Sequence, residues 1–332
     1  MAIHIRRREF IVTLGGAAVC PFTAKAQQPE RMRRIGVLST FTPDDQEGQV
    51  RIAAFLQALQ PFGWTVGRNL RIDYRWGEGG SASTRRNAAE LVALAPDVIL
   101  ANGAAAVAPL LDATRTVAIV FVLVADPVGA GFVNSLARPG GNATGFTAVE
   151  YGFAGKWLEL LKEIAPVVTR AAVIRDPAIT AGIGMFGAIQ SVAPSLGVEV
   201  VPINVRDPDE MERSIAAFAR SPHGGLVVTA SPLAFTHSAL IISLASRHNL
   251  PAIYFARRFV SAGGLCCYGP DVIDQYQHAA GYIDRILKGE KPAEMPVQAP
   301  VKYELTINMK TSKALGLTMP ATVLARADEV IE

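Results

Sequence analysis

From Arg33 onward, short apolar runs alternate with longer segments whose apolar residues recur every three or four positions. Residues 98–100, 119–124 and 226–228 are unbroken apolar stretches, the pattern of strands covered on both faces. Residues 35–38, 70–76, 171–174, 198–205 and 253–255 read as further strands. Between them, residues 50–62 place Ile52, Phe55, Leu56 and Leu59 on one stripe, which predicts a helix. Helical spacing recurs at 85–94 (stopped by Pro96), 104–113, 154–164, 187–195, 208–219 and 233–248. Strands and helices alternating at this interval predict right-handed crossovers and parallel sheets, an α/β fold.

The two halves of the chain echo each other. Pro96-Asp97-Val98-Ile99-Leu100, a helix, and Ala118-Ile119-Val120-Phe121 are matched later by Gly225-Leu226-Val227-Val228, a helix, and Pro251-Ala252-Ile253-Tyr254-Phe255. Two Rossmann-like lobes with parallel sheets follow. Proline and glycine mark three places where the chain is expected to cross between them: 138–142, 265–270 and 291–300. The lobes are then 33–141 with about 271–295, and 142–270 with about 296–332, joined by a three-segment hinge.

Charge adds a leader to this picture. Residues 1–26 hold Arg6, Arg7, Arg8 and Lys25 against Glu9, which accounts for the whole formal net charge of +3 in the 332-residue chain. The remainder is neutral overall and offers no polyanion-binding face, so no nucleic-acid partner is expected. A basic segment, a short apolar run at 11–22 and Ala24-Lys25-Ala26 make a secretory signal peptide over 1–26. Arg7-Arg8-x-Phe10-Ile11 resembles a twin-arginine signature, and ordinary secretion stays open beside it. Val19 stands before Cys20 where a lipid-anchored cysteine needs a small residue, so no anchor is expected. No other apolar run approaches the ~20 residues a bilayer requires. Behind the leader only Cys266 and Cys267 remain. They read as two buried thiols on a strand, with a vicinal disulfide as the other reading.

Catalytic patterns do not emerge. There is no Gly-x-Ser-x-Gly elbow, no phosphate-cradling loop and no dinucleotide fingerprint after the first strand, which ends in Ser39-Thr40-Phe41-Thr42. His223, His237, His248 and His278 read as surface or packing residues with no carboxylate pattern nearby, and Asp44-Asp45 as a solvated turn or helix cap. No cofactor and no metal site are expected, and the chain is not read as an enzyme. What stands out is the set of strand ends, where open parallel sheets bind ligands. They carry Ser39 and Thr40; Asn102, Gly103 and Ala104; Asp126 and Pro127; Asp176; and Ser231. Their small and hydroxylated residues leave backbone N–H groups for an anionic head. Asp126 and Asp176 suit an ammonium group, and Phe255, Tyr151 or Tyr268 an apolar wall. The plainer alternative is that Asp-Pro and Ser-Pro only cap helices.

Several stretches resemble one known family. They are Glu90-Leu91-Val92 with Pro96-Asp97-Val98-Ile99, Asp126-Pro127-Val128-Gly129, Leu136-Ala137-Arg138-Pro139-Gly140-Gly141-Asn142-Ala143-Thr144-Gly145, Gly155-Lys156-Trp157-Leu158-Glu159-Leu160-Leu161-Lys162-Glu163, Ala262-Gly263-Gly264-Leu265 with Tyr268-Gly269-Pro270, Asn308-Met309-Lys310-Thr311 with Lys313-Ala314-Leu315-Gly316-Leu317, and Ala325-Arg326-Ala327-Asp328-Glu329-Val330. Together they resemble the tryptophan- and tyrosine-type substrate-binding proteins of ABC transporters. The resemblance implies the type I periplasmic binding protein fold and a periplasmic location. It also implies capture of a small solute, an amino acid or related carboxylate, in the cleft between the lobes. An ABC permease in the inner membrane would be the partner, and a monomer is expected. The chain departs from the family at Ser231-Pro232, where an acidic residue is common, at Arg175-Asp176-Pro177, where an Asn-rich loop is common, and at Cys267-Tyr268-Gly269, where Ser-Tyr-Gly is common. An exported sensor for a signalling partner and an exported α/β enzyme are the alternatives.

Overall fold

The structure, a computed structural model, describes residues 32–77 and 80–332. The expected leader and Cys20 lie outside the described residues.

The first sheet is built from β1 (Arg33–Leu38), β2 (Leu70–Arg75), β3 (Val98–Asn102), β4 (Ala118–Val124) and β5 (Ala143–Thr147). Its order is β2-β1-β3-β4-β5, and every pairing is parallel. The unbroken apolar runs have the cause read from sequence: alternate residues enter two separate cores. Ile35, Val37, Leu100 and Val120 pack on one face, with Ile52 and Phe55 of α1 (Gln46–Leu59). Leu38, Ile99, Ile119 and Phe121 pack on the other, with Leu91 of α2 (Ser81–Ala93) and Leu110 of α3 (Ala104–Ala113).

The second sheet holds β6 (Arg170–Arg175), β7 (Glu199–Asn204), β8 (Gly224–Val228), β9 (Ala252–Tyr254), β10 (Cys266–Pro270), β11 (Tyr303–Asn308) and β12 (Glu329–Ile331). Its order is β12-β11-β10-β9-β8-β6-β7. It is parallel except at β10–β11, which run antiparallel because β11 enters the sheet directly from the last crossing. Around it lie α4 (Gly155–Ile164), α5 (Thr180–Val192), α6 (Pro208–Phe218), α7 (Pro232–Thr236), α8 (Ser238–Arg247) and α9 (Arg257–Ser261). The helix read at 187–195 thus begins earlier, at Thr180, and that read at 233–248 is broken at His237. Next, α10 (Val272–Leu287) returns to the first sheet, where Tyr276, Ala280 and Ile283 pack with Ile52 and Phe55. Two short helices, α11 (Met309–Ala314) and α12 (Ala321–Leu324), connect β11 to β12.

The chain therefore passes between the sheets three times, but the first crossing is not at 138–142. That loop brings the chain back into its own sheet: Asn142 Nδ2 donates to Val117 O at 2.7 Å and sets Ala143 beside Ile119. β5 is Ala-Thr-Gly-Phe-Thr, too small and polar to read as a buried strand, and the chain leaves only after Thr147. The second crossing is not 265–270 either: Cys266–Pro270 is β10 inside the second sheet, and the chain leaves it at Asp271, before α10. The third is shorter than 291–300, because 295–298 still runs along β5. Thr144 Oγ1 donates to Met295 O at 2.7 Å, and Thr147 N to Gln298 O at 2.8 Å. Asp271 joins the last two crossings, accepting from Lys302 Nζ at 2.6 Å and donating its own N–H to Lys302 O at 2.9 Å. All three crossings lie at the carboxyl edge of the parallel strands.

Cys266 and Cys267 sit in β10 between β9 and β11, so consecutive side chains point to opposite faces. Both are free and buried. A vicinal disulfide would have to break the ladder on both sides. Burial pushes the Cys266 thiol well up and the Cys267 thiol up to about 12, so neither forms thiolate near neutrality. Ellman's reagent at about pH 8 should therefore label almost nothing in folded 27–332, and both cysteines of that span once it is unfolded in guanidinium. Rapid labelling of the folded chain, or an unfolded chain with no thiol, would contradict this placement.

Candidate functional site

The carboxyl ends of both sheets turn toward the crossings, and the polar residues gathered there form the candidate cleft. In the first lobe, Ser39 is buried directly after β1 and its Oγ accepts from Phe41 N at 3.1 Å. Thr40 Oγ1 accepts from Asn102 Nδ2 at 2.8 Å, which ties the ends of β1 and β3 together. Gly103 then turns the chain at a φ of +75° into α3, whose first residue is Ala104. These five expected residues form one group.

Asp126 and Pro127 follow β4, and here the structure departs from expectation. One Asp126 oxygen accepts from Gly129 N at 2.8 Å. The other accepts from the Tyr151 hydroxyl at 2.5 Å and from the Thr180 hydroxyl. Tyr151 opens the 3-10 turn Tyr151–Ala154 after the first crossing, and Thr180 is the first residue of α5. Burial alone would raise the Asp126 carboxyl, but these donors outweigh it and hold it below the usual range. Burial and the hydrogen bond to Asp126 push the Tyr151 phenol up to about 12. Tyr151 is thus a hydroxyl donor here rather than an apolar wall.

On the second lobe, Asp176 is buried after β6 and its Oδ1 accepts from Ala178 N at 3.0 Å. Ser231 caps α7, its Oγ accepting from Ala234 N at 3.1 Å. Phe255 follows β9 and packs edge-on against Phe235, with ring centroids 4.7 Å apart and Phe259 behind. Phe235 itself is 39% exposed, so this cluster presents an accessible aromatic face. Tyr268 joins a different group. Its ring partners are Phe153 and Tyr303, and it opens on a groove of about 430 Å³ beside α4 with Lys156, Glu159, Glu163 and Arg326.

The sequence reading missed three residues. Thr180 carried no signal beyond a hydroxyl at a helix start. Asp45, expected as a cap, does cap α1, its Oδ1 accepting from Gly48 N at 2.9 Å; in addition, its other oxygen lies 3.8 Å from Arg258 Nη1 of the second lobe. Phe235 was hidden inside what read as one long helix. The two cross-lobe contacts differ in weight. Asp45–Arg258 is long and partly exposed, worth about 0–1 kcal/mol. Hydrogen bonds to a carboxylate contribute about 1.5–3 kcal/mol when sheltered and less here, where Thr180 is exposed.

His278 does have a carboxylate nearby, with Nδ1 3.0 Å from Asp274 Oδ2 one turn away, but no nucleophile joins them. Among the described residues no three His, Cys, Asp or Glu side chains converge as metal ligands, and no helix is long and apolar enough to cross a membrane.

Residues 46–331 match the family model for ABC transporter substrate binding proteins. The chain belongs to that family. A tyrosine-binding protein of Clostridioides difficile (strain R20291) is 27% identical over 269 residues, 79% of this chain and 75% of that protein. Among solved structures, the ABC domain from Streptococcus pneumonia in complex with L-Trp superposes with a TM-score of 0.80 at 24% identity, covering 90% of this chain and 99% of that one. A conserved domain protein from Vibrio cholerae O1 biovar El Tor also scores 0.80, at 26% identity, covering 90% and 100%. The family has the type I periplasmic binding fold, and this substrate-binding protein shares its two α/β sheets.

Within this site, Ser231 has a measurable structural duty. Ser231→Ala should cost about 1 kcal/mol in urea unfolding, the usual weight of a lost cap, while Ser231→Asp should hold the parent value. Equal losses in both variants would contradict the capping role.

Proposed function

We propose that this substrate-binding protein is exported, captures an amino acid between its two lobes and delivers it to the permease of an ABC importer. The observation that carries this reading is the pair of polar strand-end clusters, one per sheet, brought to the same edge as the three crossings. Asp126 already accepts from three donors, so the α-ammonium group falls to Asp176, which uses only one oxygen on Ala178. Backbone N–H groups at the start of α3, beside Thr40 and Asn102, suit the carboxylate. The Phe235–Phe255 face suits an aromatic side chain. The names of the Clostridioides relative and the Streptococcus complex point the same way, toward tyrosine or tryptophan. The arginine-rich leader with Ala24-Lys25-Ala26 supports export, by the twin-arginine or the general route. Binding without chemistry is supported by membership of the substrate-binding family.

A thermal-shift series on 27–332 with the natural amino acids tests the reading. A solute at about 100 times its Kd stabilises the folded chain by about 2.7 kcal/mol, which for a chain of this size raises Tm by roughly 5–10 °C. L-tyrosine or L-tryptophan should give that rise with one site per chain by calorimetry. Phe235→Ala should weaken aromatic solutes about tenfold. A folded chain that no amino acid stabilises would overturn the proposal.

A further inference from the structure

We propose that Asp126 is a cross-lobe latch and not a solute contact, setting how far this chain closes before any solute arrives. The inference rests on the two-lobed binding reading but makes a claim about the empty protein.

The geometry brings three parts of the molecule to one carboxylate. Asp126 belongs to the first lobe, following β4. Tyr151 stands at the first crossing, and Thr180 starts α5 of the second lobe. Both hydroxyls donate to the same Asp126 oxygen, and Gly129 N holds the other at 2.8 Å. With both oxygens occupied, the carboxylate has little left for an ammonium group.

Two glycines make room for this arrangement. A Cβ on Gly129 would lie 2.0 Å from Asp126 Oδ2 and 2.5 Å from Thr180 Oγ1. A Cβ on Gly184, one turn into α5, would lie 2.6 Å from the Tyr151 ring. Neither glycine has the positive φ that would itself demand glycine. The small residue is required by contact, and at Gly129 the contact includes the latch across the lobes. Asp45–Arg258, at 3.8 Å, is a second and weaker contact between the lobes.

A latch that favours the closed form lowers the cost of closure for every solute equally, whatever groups that solute carries. An ammonium partner would instead discriminate between an amino acid and its deaminated analogue. X-ray scattering and calorimetry on 27–332 separate the two. Without solute, Thr180→Val and Gly129→Ala should have a larger radius of gyration than the parent, and Thr180→Ser should match the parent. Asp126→Ala should raise the Kd for L-tyrosine and for 3-(4-hydroxyphenyl)propionate by the same factor, about three- to tenfold. Unchanged dimensions in solute-free Thr180→Val and Gly129→Ala would overturn the latch. So would an Asp126→Ala loss confined to the amine-bearing solute. If the parent binds no amino acid, the binding reading fails on its own, and the scattering still decides the latch.

Discussion

Both sheets of this protein are covered on both faces, and that constraint organises everything else. Residues along β1, β3 and β4 alternate between two cores, so the middle strands of the first sheet are apolar on both faces. The polar Ser39, Thr40 and Asn102 gather where β1 and β3 end. Parallel pairing then sends the ends of β1 to β5 to one edge of the first sheet, and those of β6 to β10 to one edge of the second. In open parallel sheets that edge is where ligands bind.

The crossings bring this edge of one sheet toward that of the other. Each passes between the sheets at the same side, and each is tied down locally. Gln298 is held to β5, Asp271 to Lys302, and buried Gln275 spans Leu123 and Thr147 by accepting from one backbone and donating to the other. Those ties fix where the chain bends. They leave the contact between lobes to a few side chains, and among these Asp126 has the most donors. A carboxylate that reads as a solute partner from sequence is, in the folded chain, shared between the hinge and the opposite lobe. In the proposed reading, solute capture and lobe closure fall to different acidic residues, Asp176 and Asp126.

How much of this the sequence carried depends on how local the signal was. Long apolar runs such as 119–124 announced buried strands because both their faces are covered. The halves repeated closely enough to show two lobes. β5 escaped because Ala-Thr-Gly-Phe-Thr has neither a run nor an alternation, and its omission moved the first crossing to the proline and glycine of 138–142. The break at His237 escaped because the apolar spacing carries on through it, so that Phe235 read as part of one long helix instead of an accessible ring. Ser39, Thr40 and Asn102 were legible as strand ends. Thr180 was not, since its partner lies 54 positions away and only the three-dimensional arrangement pairs them. The same limit applies to Tyr268, whose position in β10 was clear but whose companions, Phe153 and Tyr303, come from the segments flanking two other crossings.

The central claim, that a solute is held between the two sets of strand ends by groups other than Asp126, is tested most directly by a crystal structure of 27–332 grown with L-tyrosine. The account predicts the amino acid between the sheets, its ring against Phe235, its ammonium at Asp176, and Asp126 still accepting from Tyr151 and Thr180. A solute seated away from the strand ends, or bound through its ammonium to Asp126 with Thr180 displaced, would contradict it.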